Sequence, residues 1–195
     1  MRQAIKNSSS EILKQNLKYI QGNSNNNKKI ADILFDEQKK FCAYTDEYIS
    51  RTDAKDIEHF NPELKGTLSD SYDNWFLVKH QWNKEKSYKW KNYQPVIHPT
   101  SNDFENRVIY KDGDYIVNSE TDIEAQNLIS LLKLDDVALA DKRKRYIARK
   151  LKEITVANQD YESYFSELIE DDPCNVSYLR AIKEEFRVDL WPMLK

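Results

Sequence analysis

The spacing of apolar positions changes several times along this chain, and each change marks an element. Ile12, Leu13, Leu17 and Ile20 recur at helical intervals behind Ser8 and Glu11, which read as a capping box, and Gly22 stops the run. The stretch Asn23 to Asn27 reads as a polar loop. Ile30, Ile33, Leu34 and Phe41 then share one face of a second helix over 28–40. From Asp56 to Phe60 polar and apolar residues alternate, as in a short strand that ends near Glu58 and turns into Asn61-Pro62. The apolar run Trp75-Phe76-Leu77-Val78 leads into a short helix over 79–89. Residues 93–100 form a proline-bounded extended segment. Residues 109–117 form the clearest hairpin, with Asp112-Gly113 at its turn. Beyond Thr121 the pattern is helical to the end. Leu128, Ile129, Leu131, Leu132 and Leu134 mark one helix. A longer one over 137–158 would bury Leu139, Ile147, Leu151 and Ile154, and two more are read over 159–169 and 175–190.

These elements predict an α+β chain in three parts: N-terminal helices at 1–40, a central unit with its following hairpin at 41–118, and a helical region at 119–195. The two N-terminal helices read as a packing brace for the centre. With 195 residues, 39% hydrophobic and 32% charged, and a mean hydropathy of −0.83, the chain has enough bulky side chains for a core. No apolar run is long enough to span a bilayer, and the first residues lack the apolar core of a secretory signal, so cytoplasm is the expected compartment with no membrane partner. Cys42 and Cys174 make no disulfide framework, in keeping with a reducing compartment.

The net charge of −3 excludes a basic nucleic-acid coat, but the charge is segregated. Seven of the twelve residues from Asp141 to Lys152 are Lys or Arg, whereas Asp160 to Asp172 holds six acids and no base. The basic helix, with Arg143, Lys144, Arg145 and Arg149, is the candidate surface for a phosphate backbone.

Candidate chemistry gathers between residues 56 and 86. Glu58-His59 places a carboxylate beside an imidazole. Asn74 precedes the apolar run, and His80, Asn83 and Lys86 follow at intervals of three that put them on one helix face. A neutral imidazole can take a proton from an attacking water, and a hard divalent cation with oxygen ligands can stabilise a leaving oxygen.

The box Glu58-His59-Phe60, the Asp73-Asn74 pair before the apolar strand and the N-x-x-K of Asn83 and Lys86 resemble the HNH endonuclease motif. The resemblance implies a ββα-metal finger embedded in a mostly helical domain. It assigns His59 as general base, Asn74 as the side chain orienting it, Glu58 and Asn83 as ligands of Mg²⁺ (or Mn²⁺), and Lys86 as a phosphate contact. Many such proteins carry two C-x-x-C pairs that bind structural zinc. Here those positions read Cys42, Thr45, Lys79 and Trp82, so the structural zinc site is lost and no structural zinc is expected. Cys42 then reads as a small buried hydrophobe, with Trp82 filling space.

The order of the parts, over about residues 38–150, is similar to the PtuB nuclease subunits of Septu anti-phage systems and to retron-associated HNH effectors. That branch implies DNA as substrate and an ABC-type ATPase partner (PtuA-like). The amphipathic face of Leu179, Ile182, Phe186 and Leu190 is the candidate docking surface for that partner; the competing reading packs the face on the chain's own core. A catalytically inactive HNH-like scaffold and a DNA-binding subunit without cleavage are the alternative functions.

Overall fold

The run Trp75 to Val78 is buried on both faces, which is why it is continuously apolar rather than alternating. It forms β2 (Trp75–Lys79), paired antiparallel with β1 (Lys55–His59) in a register that sets Ile57 opposite Leu77, Glu58 opposite Phe76 and His59 opposite Trp75. The strand expected to end near Glu58 therefore continues through His59, because Trp75 closes the ladder there. Helix α3 (His80–Lys86) follows β2 directly, giving the order strand, strand, helix. This computed structural model describes residues 1–86 and 89–195; Ser87 and Tyr88, in the last turn of the helix expected to reach Lys89, lie outside the described residues.

The free edge of β2 is closed by side chains together with the Ala43 amide, which donates to the Leu77 carbonyl at 3.1 Å. Gln38 accepts from the Leu77 amide and donates to the Leu77 carbonyl, both at 2.8 Å, as a neighbouring strand would. The Lys6 ammonium reaches the Trp75 carbonyl on the same strand. Gln38 sits at the end of α2 (Ser24–Glu37), whose start corrects the reading of a polar loop. Asn23 caps the helix by accepting from the Asn26 amide at 3.1 Å, so the asparagine stretch is its first turn. The preceding helix is a single turn, α1 (Glu11–Lys14), capped by Ser10 rather than Ser8 and ended by Asn16 at φ 48°.

After the short helix α4 (Phe104–Arg107), β3 (Val108–Lys111) and β4 (Asp114–Val117) form the expected hairpin. Asp112 and Gly113 both take positive φ, as a two-residue hairpin turn requires. A Cβ on Gly113 would lie 2.7 Å from the Ala140 carbonyl, so helix α6 (Val137–Ala157) could not pack against the turn as it does. Helix α5 (Ile123–Leu132) buries Leu128, Ile129, Leu131 and Leu132, as its periodicity predicts.

Two readings of the C-terminal part need correction. On α6 the inward face carries Arg143, Tyr146 and Lys150, while Leu151 is exposed. The supposed docking face is the chain's own core. Helix α7 (Tyr161–Asp171) is followed by α8 (Leu179–Phe186), and Leu179, Ile182, Phe186 and Leu190 are all buried. Burying that face against neighbouring helices is the ordinary use of an amphipathic stripe, and it leaves nothing there for a partner.

Trp75 is 1% exposed and Trp82 only partly buried. Trp75→Ala should cost about 3–5 kcal/mol of stability and Trp82→Ala less. Denaturant unfolding of both variants checks this; equal midpoints would place the packing centre elsewhere.

Candidate active site

Alternation along β1 gives Asp56 and Glu58 a common side, and both meet α3. Asp56 Oδ2 lies 2.8 Å from His80 Nδ1 and accepts from Asn83 Nδ2 at 2.9 Å. One turn on, the Lys86 ammonium contacts Glu58 Oε1 and donates to the His59 and Phe60 carbonyls at 2.7 and 2.6 Å. The helix face drawn from the i, i+3 spacing thus exists, and it lies against the expected strand. Glu58 is 4% exposed. Burial pushes its carboxyl up and the Lys86 ammonium down, and each charge opposes the other's shift.

Lys86 is consequently no phosphate contact in this conformation, because its charged end is enclosed by three oxygens of the chain. Asn83 stands beside Asp56 rather than bonded to Glu58. Asp56 escaped the sequence reading, although its place two residues before Glu58 on an alternating strand was the available signal.

His59 meets different neighbours. Its Nε2 lies 3.1 Å from Asp70 Oδ2, a close contact that falls short of hydrogen-bond geometry and leaves Nε2 with no other partner among the described residues. Asp70 is itself held: its Oδ1 accepts from Trp75 Nε1 at 2.7 Å and from Asn74 Nδ2 at 3.0 Å, and its Oδ2 faces the Gly66 amide at 3.4 Å. Tyr19 packs edge-on against the imidazole with ring centroids 4.5 Å apart, and Lys65 lies over Tyr19. The Tyr19 segment is tied down by the asparagines of α2. Asn26 donates to the Lys18 carbonyl, and Asn27 bonds both backbone groups of Ile20. The imidazole is 4% exposed. Burial lowers its pKa to about 4, with the nearby charges of Lys65 and Lys86 acting the same way and Asp70 against them. His59 is therefore neutral at pH 7, the form a general base requires.

The hydrogen bonds of the Asn74 amide go to Asn61 and Asp70 rather than to the imidazole. Its Oδ1 accepts from the Asn61 amide at 2.7 Å and its Nδ2 donates to the Asn61 carbonyl at 3.1 Å, so it clips the loop after β1 and steadies Asp70. Any orienting effect on His59 passes through Asp70. Neither Asp70 nor Tyr19 was legible as a site residue, since each reaches His59 across a distance in sequence that no local pattern encodes.

The basic helix divides. Arg143 is 0% exposed; its guanidinium donates to the Gly113 and Leu134 carbonyls at 2.5 and 2.7 Å and lies over Tyr115. It is a bracket between α6 and the hairpin, which corrects its assignment to nucleic acid. Lys144, Arg145 and Arg149 do reach the surface, paired with Asp112, Asp141 and Glu153. Lys142, Tyr146 and Arg149 line a hollow of about 500 Å³ on this side.

Cys42 is buried, and its Sγ accepts from the Lys79 amide at 3.5 Å. Among the described residues no three His, Cys, Asp or Glu side chains gather as a ready metal site, and no helix is long and apolar enough to cross a membrane. The Asp56 and Glu58 carboxylates on this side of β1 are nonetheless hard oxygen donors, and Asn83, whose Nδ2 faces Asp56 here, would add its amide oxygen by turning its side-chain amide. Few protein ligands with water and phosphate completing the shell is how Mg²⁺ is ordinarily held, so the donor chemistry fits a hard divalent ion.

No curated protein and no solved structure matches this chain. Residues 42–90, about a quarter of the chain and the stretch that holds β1, β2, α3 and the His59–Asp70 contact, match the family model described as HNH endonuclease, which supports a nuclease.

Proposed function

We propose that this protein is a metal-dependent endonuclease that hydrolyses DNA phosphodiester bonds. The observation that carries the reading is a neutral imidazole, His59, held against a carboxylate within the stretch that matches the HNH endonuclease family. His59 would accept the proton of the attacking water, and Asp70 would keep the ring in place. Glu58 and Asn83, with Asp56 beside them, would hold Mg²⁺ or Mn²⁺. When bound, such an ion supplies positive charge at the leaving oxygen. Lys86 must release Glu58 for this, and it would then be free to meet a phosphate. Lys144, Arg145 and Arg149 offer exposed charge for the backbone, contacts that confer little sequence preference.

The order of motifs further supports a nuclease effector of an anti-phage system, working in the cytoplasm beside an ABC-type ATPase of the PtuA kind. An acidic chain attracts DNA poorly, and a partner that grips the duplex would compensate. With the α8 face buried, that partner would dock elsewhere.

One observation favours the rival reading of an inactive HNH-like scaffold: the Glu58 carboxylate is already occupied by Lys86. Incubation with supercoiled plasmid decides between them. Nicking that appears with Mg²⁺ or Mn²⁺ and vanishes with EDTA is expected. Plasmid left supercoiled with either ion would favour the scaffold, and retarded but uncut plasmid would indicate a DNA-binding subunit.

A further inference from the structure

We infer that Asp70 is the positioning residue of the site, fixing His59 in the tautomer that carries its hydrogen on Nε2 and leaves Nδ1 free to accept a proton. The inference rests on the nuclease reading only for its catalytic consequence; the tautomer is a property of the protein alone.

Asp70 is buried, and its two oxygens are used differently. Oδ1 takes the Trp75 indole N–H at 2.7 Å and the Asn74 amide N–H at 3.0 Å. Two donors converging on one oxygen fix the carboxylate plane and direct Oδ2 to His59 Nε2 at 3.1 Å. An ionised carboxylate only accepts, so the ring nitrogen facing it must carry the hydrogen. The opposite tautomer would set a lone pair against a buried negative oxygen. Trp75 and Asn74 therefore act on the base at one remove. The loop from Asn61 to Asp70 has its ends joined by the Asn74 clip on Asn61, which keeps Asp70 in reach.

Asp70→Asn tests this with little change of shape. Trp75 and Asn74 present two N–H groups on the Oδ1 side at 2.7 and 3.0 Å, against the single longer contact of the Gly66 amide on the Oδ2 side at 3.4 Å, so the new amide places its oxygen with the pair and turns its NH₂ toward His59. Nε2 must then accept, the hydrogen moves to Nδ1, and the lone pair needed for catalysis is gone. The comparable exchange in the serine-protease triad lowers turnover about 10⁴-fold by the same error of tautomer.

The measurement is a long-range ¹H–¹⁵N correlation spectrum of the metal-free full chain at pH 8, where an unperturbed imidazole is also neutral. Only three histidines are present, and the His59 signals are assigned by their loss in His59→Asn. The expected result is an Nε2–H tautomer in the wild type, an Nδ1–H tautomer in Asp70→Asn, and a loss of plasmid nicking of roughly 10²–10⁴-fold in kcat with KM little changed. A wild-type His59 with its hydrogen on Nδ1 overturns the inference without need of any variant, so failure of Asp70→Asn to fold would not protect it. Unchanged turnover in a variant whose tautomer has switched overturns it as well. The predicted tautomers in a wild type that cleaves nothing would uphold the role of Asp70 and defeat the nuclease reading instead.

Discussion

His59→Ala is expected to slow metal-dependent plasmid nicking by roughly 10²–10⁴-fold, the usual scale for a removed general base. The residual rate would come from the bound ion and from whatever holds the phosphate, neither of which uses the imidazole. Because His59 is buried among Tyr19, Trp75 and Asp70, the variant also leaves a cavity and an unanswered carboxylate, so some loss of stability accompanies the loss of rate. Rates should therefore be compared well below the variant's melting temperature, with circular dichroism confirming that the chain is folded. Full activity in a folded His59→Ala protein would remove the imidazole from the chemistry and with it the reading of the site.

Removing residues 175–195 is expected to leave a chain that does not fold. Val176, Tyr178, Leu179, Ile182, Phe186, Leu190 and Leu194 are all buried in this segment. At about 1.5–3 kcal/mol for each large apolar side chain, their loss is as large as the whole margin of about 5–15 kcal/mol by which a domain is ordinarily stable. The backbone is tied in as well: the Tyr178 amide donates to the Asp46 carbonyl at 2.6 Å, and the Ser177 hydroxyl accepts from the Tyr48 amide at 3.2 Å. Both ties end on the turn where the family match begins. A cooperative thermal transition in the truncated chain would show that this segment is an accessory instead.

The parts that could be read from sequence are those whose signals are local. The hairpin at Asp112-Gly113 announces itself through the turn residues, and α5 through its leucine spacing. His80, Asn83 and Lys86 share a face because three residues make most of a helical turn. What could not be read depends on which distant group completes a pair. Asp70 looks like any acid in a serine-rich loop until Trp75 and Asn74 are seen to grip it. Arg143 looks like its exposed neighbours until the Gly113 and Leu134 carbonyls are found waiting for it. Lys86 illustrates the same point in the opposite direction. Its position on the helix was correctly placed, but the oxygens that surround it come from the end of β1 and are invisible to a helical wheel.

The amide of Gln38 bears on how such a unit travels between proteins. A two-stranded sheet with one open edge is a poor free-standing object, because the unpaired strand invites another copy to bind. Here the Gln38 side chain, four residues before the family-matched stretch begins, takes both backbone groups of Leu77, and Lys6 takes the Trp75 carbonyl, while Ala43 and Cys42 cover the rest of that edge from within the matched stretch. Residues 42–90 are therefore not a transplantable cassette. A graft cut at the borders of the family match would carry the reactive groups and leave behind the Gln38 and Lys6 part of the cover that keeps β2 from pairing with a second molecule. The shortest segment that could move to a new host begins upstream of Gln38 and brings, or replaces, the contact made by Lys6.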